Sequence, residues 1–261
     1  MKKRNFLLPL FTLSLAVAFF TGCNNDGHNK DKYDLYSNAS RYSAGNGTIE
    51  SVSSIDVEWV SGKVNLEYSD ENVFTFKEET DYDLESNESV KMRWYLDGGT
   101  LKIKFAKSGA KIIENLQKTL TLTVPNGAAL QELDIETVSA NINCNLNARK
   151  ADFETVSGKI NFTDAVVTGT LKFGTVSGEV NYSAKTLPAL LDAETVSGNL
   201  RFGFPEDASF SVKFESLSGN MNTDSAFNGM QNGKYFIVNG GLTKIDAETI
   251  SGNLTIEKTI V

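Results

Sequence analysis

Glu154-Thr155-Val156-Ser157-Gly158-Lys159-Ile160-Asn161-Phe162 decides the fold, because the chain keeps returning to it. The pattern occurs as Glu136-Thr137-Val138-Ser139-Ala140-Asn141-Ile142-Asn143 and as Gly174-Thr175-Val176-Ser177-Gly178-Glu179-Val180-Asn181-Tyr182. It recurs from Glu194 to Phe202, from Glu215 to Asn222 and from Glu248 to Ile256. The motif serines (Ser139, Ser157, Ser177, Ser197, Ser218 and Ser251) are separated by steps of 18, 20, 20, 21 and 33 residues. A step of about 20 residues, held over four intervals, means one supersecondary unit copied along an axis.

Within a unit the alternation is that of short strands. Leu171, Phe173 and Thr175 share one face, with Lys172 and Gly174 on the other. After Gly178 the phase shifts by one residue, and Val180 and Tyr182 become the apolar positions. A phase change at glycine marks a bulge or a sharp corner between two strands. Ala140 holds the glycine position in the first copy, so a positive φ is not obligatory there. Each unit reads as strand, Ser-Gly corner, strand and polar turn. Such a unit cannot bury its apolar face alone, whereas parallel stacking on its copies does so. The expected fold is all-β: a parallel β-solenoid with an N-terminal β cap, since propeller blades need about 40–50 residues each. Apolar ladders should fill the interior and the motif serines should stack inside the corner. Asn143, Asn161, Asn181 and Asn222 should form an outward column.

Residues 1–22 read as a lipoprotein signal peptide. Lys2, Lys3 and Arg4 form a basic start, Phe6 to Phe20 is apolar but short for an ordinary transmembrane helix, and Thr21-Gly22 precedes Cys23. That order resembles a lipobox, with Phe20 where leucine is usual; the resemblance implies that Cys23 is lipidated and becomes the mature N-terminus. Residues 23–46 are rich in Asn, Asp, Ser and Gly and read as a flexible tether. Loss of the three leader cations takes the formal net charge from −8 to −11, which argues against nucleic acid or an anionic membrane surface as partner.

Residues 47–130 are β-rich without a regular repeat and read as the cap; residues 131–261 are the repeats. Ser61-Gly62 is a divergent corner, Asp97-Gly98-Gly99 a hairpin turn, and Pro125-Asn126-Gly127 the end of the cap. The long final step marks an insertion, Thr223 to Leu242, with a short strand around Lys234 to Val238. The last strand, Asn253 to Val261, is expected at the edge.

Little here supports catalysis. The one histidine, His28, lies in the tether, so no Ser-His-Asp triad or histidine metal site can be assembled in the fold. Motif serines lack a neighbouring base, and their repetition marks them as structural. Cys144 shares the parity of Phe162, Tyr182 and Phe202, which makes it a buried thiol. Glu136, Glu154, Glu194, Glu215 and Glu248 stack into an acidic stripe broken by Gly174. We read it as a solvated face rather than a Ca²⁺ site, and no cofactor is expected. Trp59, Trp94 and Tyr95 alternate with charged residues, which favours packing in the cap over a ligand platform.

The recurring Glu-Thr-Val-Ser-Gly-x-Ile/Val/Leu-Asn motif, following Val124-Pro125-Asn126-Gly127, resembles the bacterial “putative adhesin” family of β-solenoid domains, with its LiaG-like envelope proteins. The resemblance runs from about Ile49 to Val261. It implies a surface or envelope protein without established catalytic residues, and no ligand-binding residue carries over. The expected function is a non-catalytic adhesion or interaction module. It would sit outside the cytoplasm, bound to the membrane through its lipid, with envelope proteins or surface glycans as partners. The alternatives are an accessory of envelope-stress sensing and, less favoured, a β-helix enzyme acting on polysaccharide.

Overall fold

The computed structural model describes residues 35–259. The signal peptide, Cys23, His28 and the first part of the tether lie outside the described residues. Strands β1 (Ser43–Ala44) and β2 (Gly47–Ile49) lead into β3 (Ser54–Trp59), β4 (Gly62–Ser69), β5 (Phe74–Glu79), β6 (Arg93–Asp97), β7 (Thr100–Lys104) and β8 (Lys118–Pro125). The repeats follow as pairs around each corner: β9 (Leu130–Thr137) with β10 (Asn141–Cys144), β11 (Ala148–Thr155) with β12 (Ile160–Thr163), and β13 (Thr170–Thr175) with β14 (Val180–Ser183). Next come β15 (Leu190–Thr195) with β16 (Leu200–Phe204), and β17 (Phe210–Ser216) with β18 (Met221–Thr223). A hairpin of β19 (Met230–Asn232) and β20 (Tyr235–Val238) precedes β21 (Thr243–Thr249) and β22 (Leu254–Lys258).

The first strand of every pair enters a 12-stranded sheet and the second a 10-stranded sheet. Equivalent residues pair in register, as in Phe153 beside Phe173 and Ile160 beside Val180. This is the expected parallel solenoid. Its two sheets close on one continuous core. Aromatic side chains run through it, from Phe153 and Phe173 (centroids 5.9 Å apart) through Phe162 and Tyr182 (5.8 Å) to Phe210 and Phe227 (5.5 Å). Small residues such as Ala193 and Ala247 leave room for these rings.

The order of turns departs from chain order at both ends. The stretch expected as a cap contains two solenoid turns, β3/β4 and β7/β8, with β7/β8 outside β3/β4. Antiparallel β5 and β6 then cover the outer edges. At the other end β21/β22 slots between β15/β16 and β17/β18. The last strand is therefore interior, not the expected edge. The insertion supplies enough chain to step over the outer turn, and its hairpin covers β17. The outermost turn is built for partial exposure: Phe214 and Met221 are only partly buried.

The tether also ends earlier than residue 46. Tyr36 donates its hydroxyl hydrogen to Ala106 O (3.1 Å), Tyr42 packs on Tyr36 (5.0 Å) and Tyr95 (5.6 Å), and Asn46 Oδ1 accepts from Glu78 N (2.8 Å). Its aromatic residues drive this docking, an effect hidden by the polar average of the segment.

The corner explains the motif, and it corrects the serines. Thr155, Thr175, Thr195 and Thr249 are buried inside it, each Oγ1 accepting from the N–H of the glycine three residues on, at 2.7–2.9 Å. The motif serines are exposed on the outside. Their hydroxyls reach only weakly, at 3.2–3.5 Å, to valine or isoleucine carbonyls of the neighbouring turn. The chain turns one residue earlier than strand parity suggests, so threonine is the last inward side chain. A Cβ at Gly178 would overlap the Gly158 carbonyl, and one at Gly198 that of Gly178. These glycines do not have positive φ; they are needed for close approach. Gly178→Val should cost about 3 kcal/mol or more, roughly 10 °C in thermal midpoint. Melting the variant beside wild type checks this, and an unchanged midpoint would refute the contact.

Candidate interaction face

The outer surface of the 12-stranded sheet carries the densest chemistry. Strand alternation puts Asp152, Glu154 and Val156 outward on one strand, and parallel register repeats the trio along the axis. Asp56, Asp134, Asp152, Lys172, Asp192 and Asp246 form one column. Glu58, Glu136, Glu154, Gly174, Glu194, Glu248 and Glu215 form the next. The glutamate stripe was legible in the motif. The aspartate column was missed, although Asp occurs two residues before Glu in several copies.

Lysines neutralise the ends of this face. Lys102 approaches Asp56 (3.6 Å), Lys104 pairs with Glu58, and Lys213 bridges Glu215 (2.8 Å) and Glu248 (3.6 Å). The middle has Lys172, 4.0 Å from Asp152. Burial first, and neighbouring carboxylates second, therefore push Glu136 up to about 8 and Asp134, Glu154 and Glu194 up to about 7. Glu154 Oε2 is shut off from solvent without a hydrogen-bond partner.

Raised carboxyl pKa values mean that the folded state holds more protons than the unfolded chain between about pH 4 and 8. Stability from these groups is full below the unfolded pKa and lost as pH rises through the folded values. The thermal midpoint should fall by a few degrees from pH 5 to pH 8, and Glu136→Gln should flatten that slope. A midpoint that rises across this window would contradict the arrangement.

A third column borders the glutamates. Backbone hydrogen bonds from each motif serine N–H to the next turn stack Val60, Val138, Val156, Val176, Val196, Ile250 and Leu217 in that order. The first six are partly exposed and Leu217 is 63% exposed. Sequence reading overlooked this stripe, because valine in a strand motif reads as core.

The other sites are quieter. On the second sheet Asn143 Nδ2 donates to Asn65 (2.9 Å) and Asn161 Nδ2 to Asn143 (2.9 Å), with Asn181 3.1 Å further on. Arg201 and Thr255 separate Asn222 from that column. A shallow depression of about 200 Å³ beside these asparagines is lined by Glu67, Cys144 and Thr163 among others. Cys144 is buried, which pushes its thiol up to about 12. Trp59 is core, packed on Phe105 at 5.0 Å, and Trp94 packs on Phe76 at 4.9 Å. Tyr95 instead lies outside under the Arg41 guanidinium (4.2 Å). Among the described residues no group of three or more His, Cys, Asp or Glu side chains is arranged to hold a metal ion, and no helix is long and apolar enough to cross a membrane.

The architecture is thus that of a laddered β-solenoid with charged and aliphatic columns on an open face. Residues 145–257 match the family model described as Toastrack DUF4097. No curated protein matches the chain. Among solved structures it is similar to one described as a “putative cell adhesion protein” from Clostridium sporogenes. That pair shares 14% identity over 83% of this chain and 100% of the other, with a TM-score of 0.47. A “putative adhesin” from Bacteroides fragilis shares 11% identity over 83% and 97% of the two chains, with a TM-score of 0.36. A “putative lipid binding protein” from Parabacteroides distasonis shares 14% over 83% and 97%, with a TM-score of 0.34.

Proposed function

We propose that the chain is a lipid-anchored, extracytoplasmic β-solenoid acting as a non-catalytic interaction or adhesion module of the cell envelope. The observation that carries this is where large apolar side chains are exposed. Leu35 (87%) and Leu96 (38%) lie at one end of the stack, while Leu217 (63%) on the outermost turn, Met230 (75%) on its hairpin and Leu242 (86%) in the turn that follows form one group at the other. That end of the stack is opposite β6 and β7, where the segment leading back to Cys23 docks. Anchoring at one end and a group of three exposed apolar side chains at the other suit a body that meets partners at its tip.

Photo-crosslinking in cells tests the reading, with the crosslinker placed in the full chain at Met230, at Leu242, or at Lys185 on a lateral turn. Adducts confined to the two tip positions are expected. A surface glycan among them would specify adhesion, and a membrane protein of the same cell the envelope-stress accessory. Equal crosslinking at Lys185, or none at the tip, would overturn the proposal. Cys23→Ser should release the protein from the membrane fraction; retention would remove the lipid anchor from the account.

A further inference from the structure

The aliphatic column and the carboxylate columns lie side by side along the solenoid axis, with Tyr36 and Tyr42 packed beside their Asp56 and Glu58 end. With the strand spacing of about 4.8 Å, the column from Val60 to Leu217 is about 29 Å long. Its middle valines, Val138, Val156, Val176 and Val196, are not among the partly buried side chains packed against the core. They face outward beside carboxyl groups that the terminal lysines do not reach.

We propose that this face docks a basic, amphipathic helix of a partner polypeptide, with aliphatic side chains on the valine column and Lys or Arg side chains over the carboxylates. Length and chemistry select this occupant. About 19 helical residues span 29 Å at 1.5 Å per residue, and a helical pitch of 5.4 Å nearly matches the strand spacing. One helix face can therefore place an apolar residue on nearly every rung while its flank presents cations. A simple polycation would satisfy the acids and leave the valines bare, and a neutral apolar segment would bury carboxylates unpaired.

Gly174, itself buried, interrupts the glutamate column between Glu154 and Glu194. Asp152, Asp192 and Lys172 flank it, leaving a negative balance. The inference deepens the proposed interaction role and rests on it, but it concerns the lateral face rather than the tip.

The test uses the full chain in detergent and a fluorescent 20-residue peptide of Lys and Leu patterned as an amphipathic helix. Binding read by anisotropy at 0.15 M salt should saturate in the micromolar range. A scrambled peptide of the same composition should bind at least tenfold more weakly. Val156→Thr/Val176→Thr, which keeps β-branched strand residues, and Gly174→Gln, which places a neutral side chain between Glu154 and Glu194, should each weaken binding about tenfold without moving the thermal midpoint. Equal binding of the scrambled peptide, full competition by spermine, or unchanged affinity in both variants would overturn the proposal. Should the valine variant melt early, Gly174→Gln alone decides. Failure here would leave tip crosslinking at Met230 and Leu242 intact, so the two readings fall separately.

Discussion

Phe162→Asp abolishes folding of the repeats, whereas Asn161→Ser, one residue away, leaves the protein close to wild type. Phe162 is fully buried, with ring centroids 5.0 Å from Phe153, 5.8 Å from Tyr182 and 6.3 Å from Phe173. Removing such a side chain costs about 3–5 kcal/mol. An unpaired carboxylate in its place adds several more. The sum rivals the whole stability of a typical domain, about 5–15 kcal/mol. Asn161 points outward and loses amide links to Asn143 and Asn181, together worth about 1–2 kcal/mol. Circular dichroism and limited proteolysis would show strand signal lost in the first variant and kept in the second. Equal tolerance of both would reverse the assignment of inner and outer faces.

The second large effect sits at the N-terminal end. Lys118 and Glu78 have side chains 0% and 3% exposed and are 2.7 Å apart. Lys118 Nζ also donates to Val90 O (2.8 Å) and to Phe105 O, and lies over the rings of Phe105 (4.1 Å) and Trp59 (4.8 Å). Burial lowers its pKa to about 8, with Glu78 opposing that shift. Lys118→Met should cost about 3–5 kcal/mol, because Glu78 is left as a buried charge without its partner. That is a fall of roughly 10 °C in thermal midpoint. Lys118→Met/Glu78→Gln should recover more than half, since the amide keeps an acceptor for Met92 N, now 2.7 Å from Glu78 Oε1. A double variant as unstable as the single would show that hydrogen bonds to Lys118, rather than the stranded charge, dominate.

Periodicity made the solenoid readable, because a repeat whose parity shifts at a fixed corner has few ways to bury its faces. Cys144 and the Asn143–Asn161 column followed from the same parity. The serines were misplaced because parity was carried two residues past Thr155 and its copies, to Ser157 and its copies, where the chain has already turned. Turn order was hidden for a different reason. Strand β17 and strand β21 carry nearly the same motif, so which stacks on β15 depends on tertiary fit and on the chain available between them. The lateral face lay in plain view as Asp-x-Glu-x-Val, but its meaning appears only when copies are laid side by side.

Threading β21/β22 between two turns already present in the chain has a consequence for biosynthesis. Most of the solenoid can assemble rung upon rung as chain emerges, but its final rung must enter a gap. Until residues 243–258 arrive, β15/β16 and β17/β18 have no partner between them and their apolar edges stay open. A chain cut at Leu242 would therefore be sticky and protease-sensitive rather than merely shorter. Closure of the stack therefore waits on residues 243–258, which fill the place between two turns made before them.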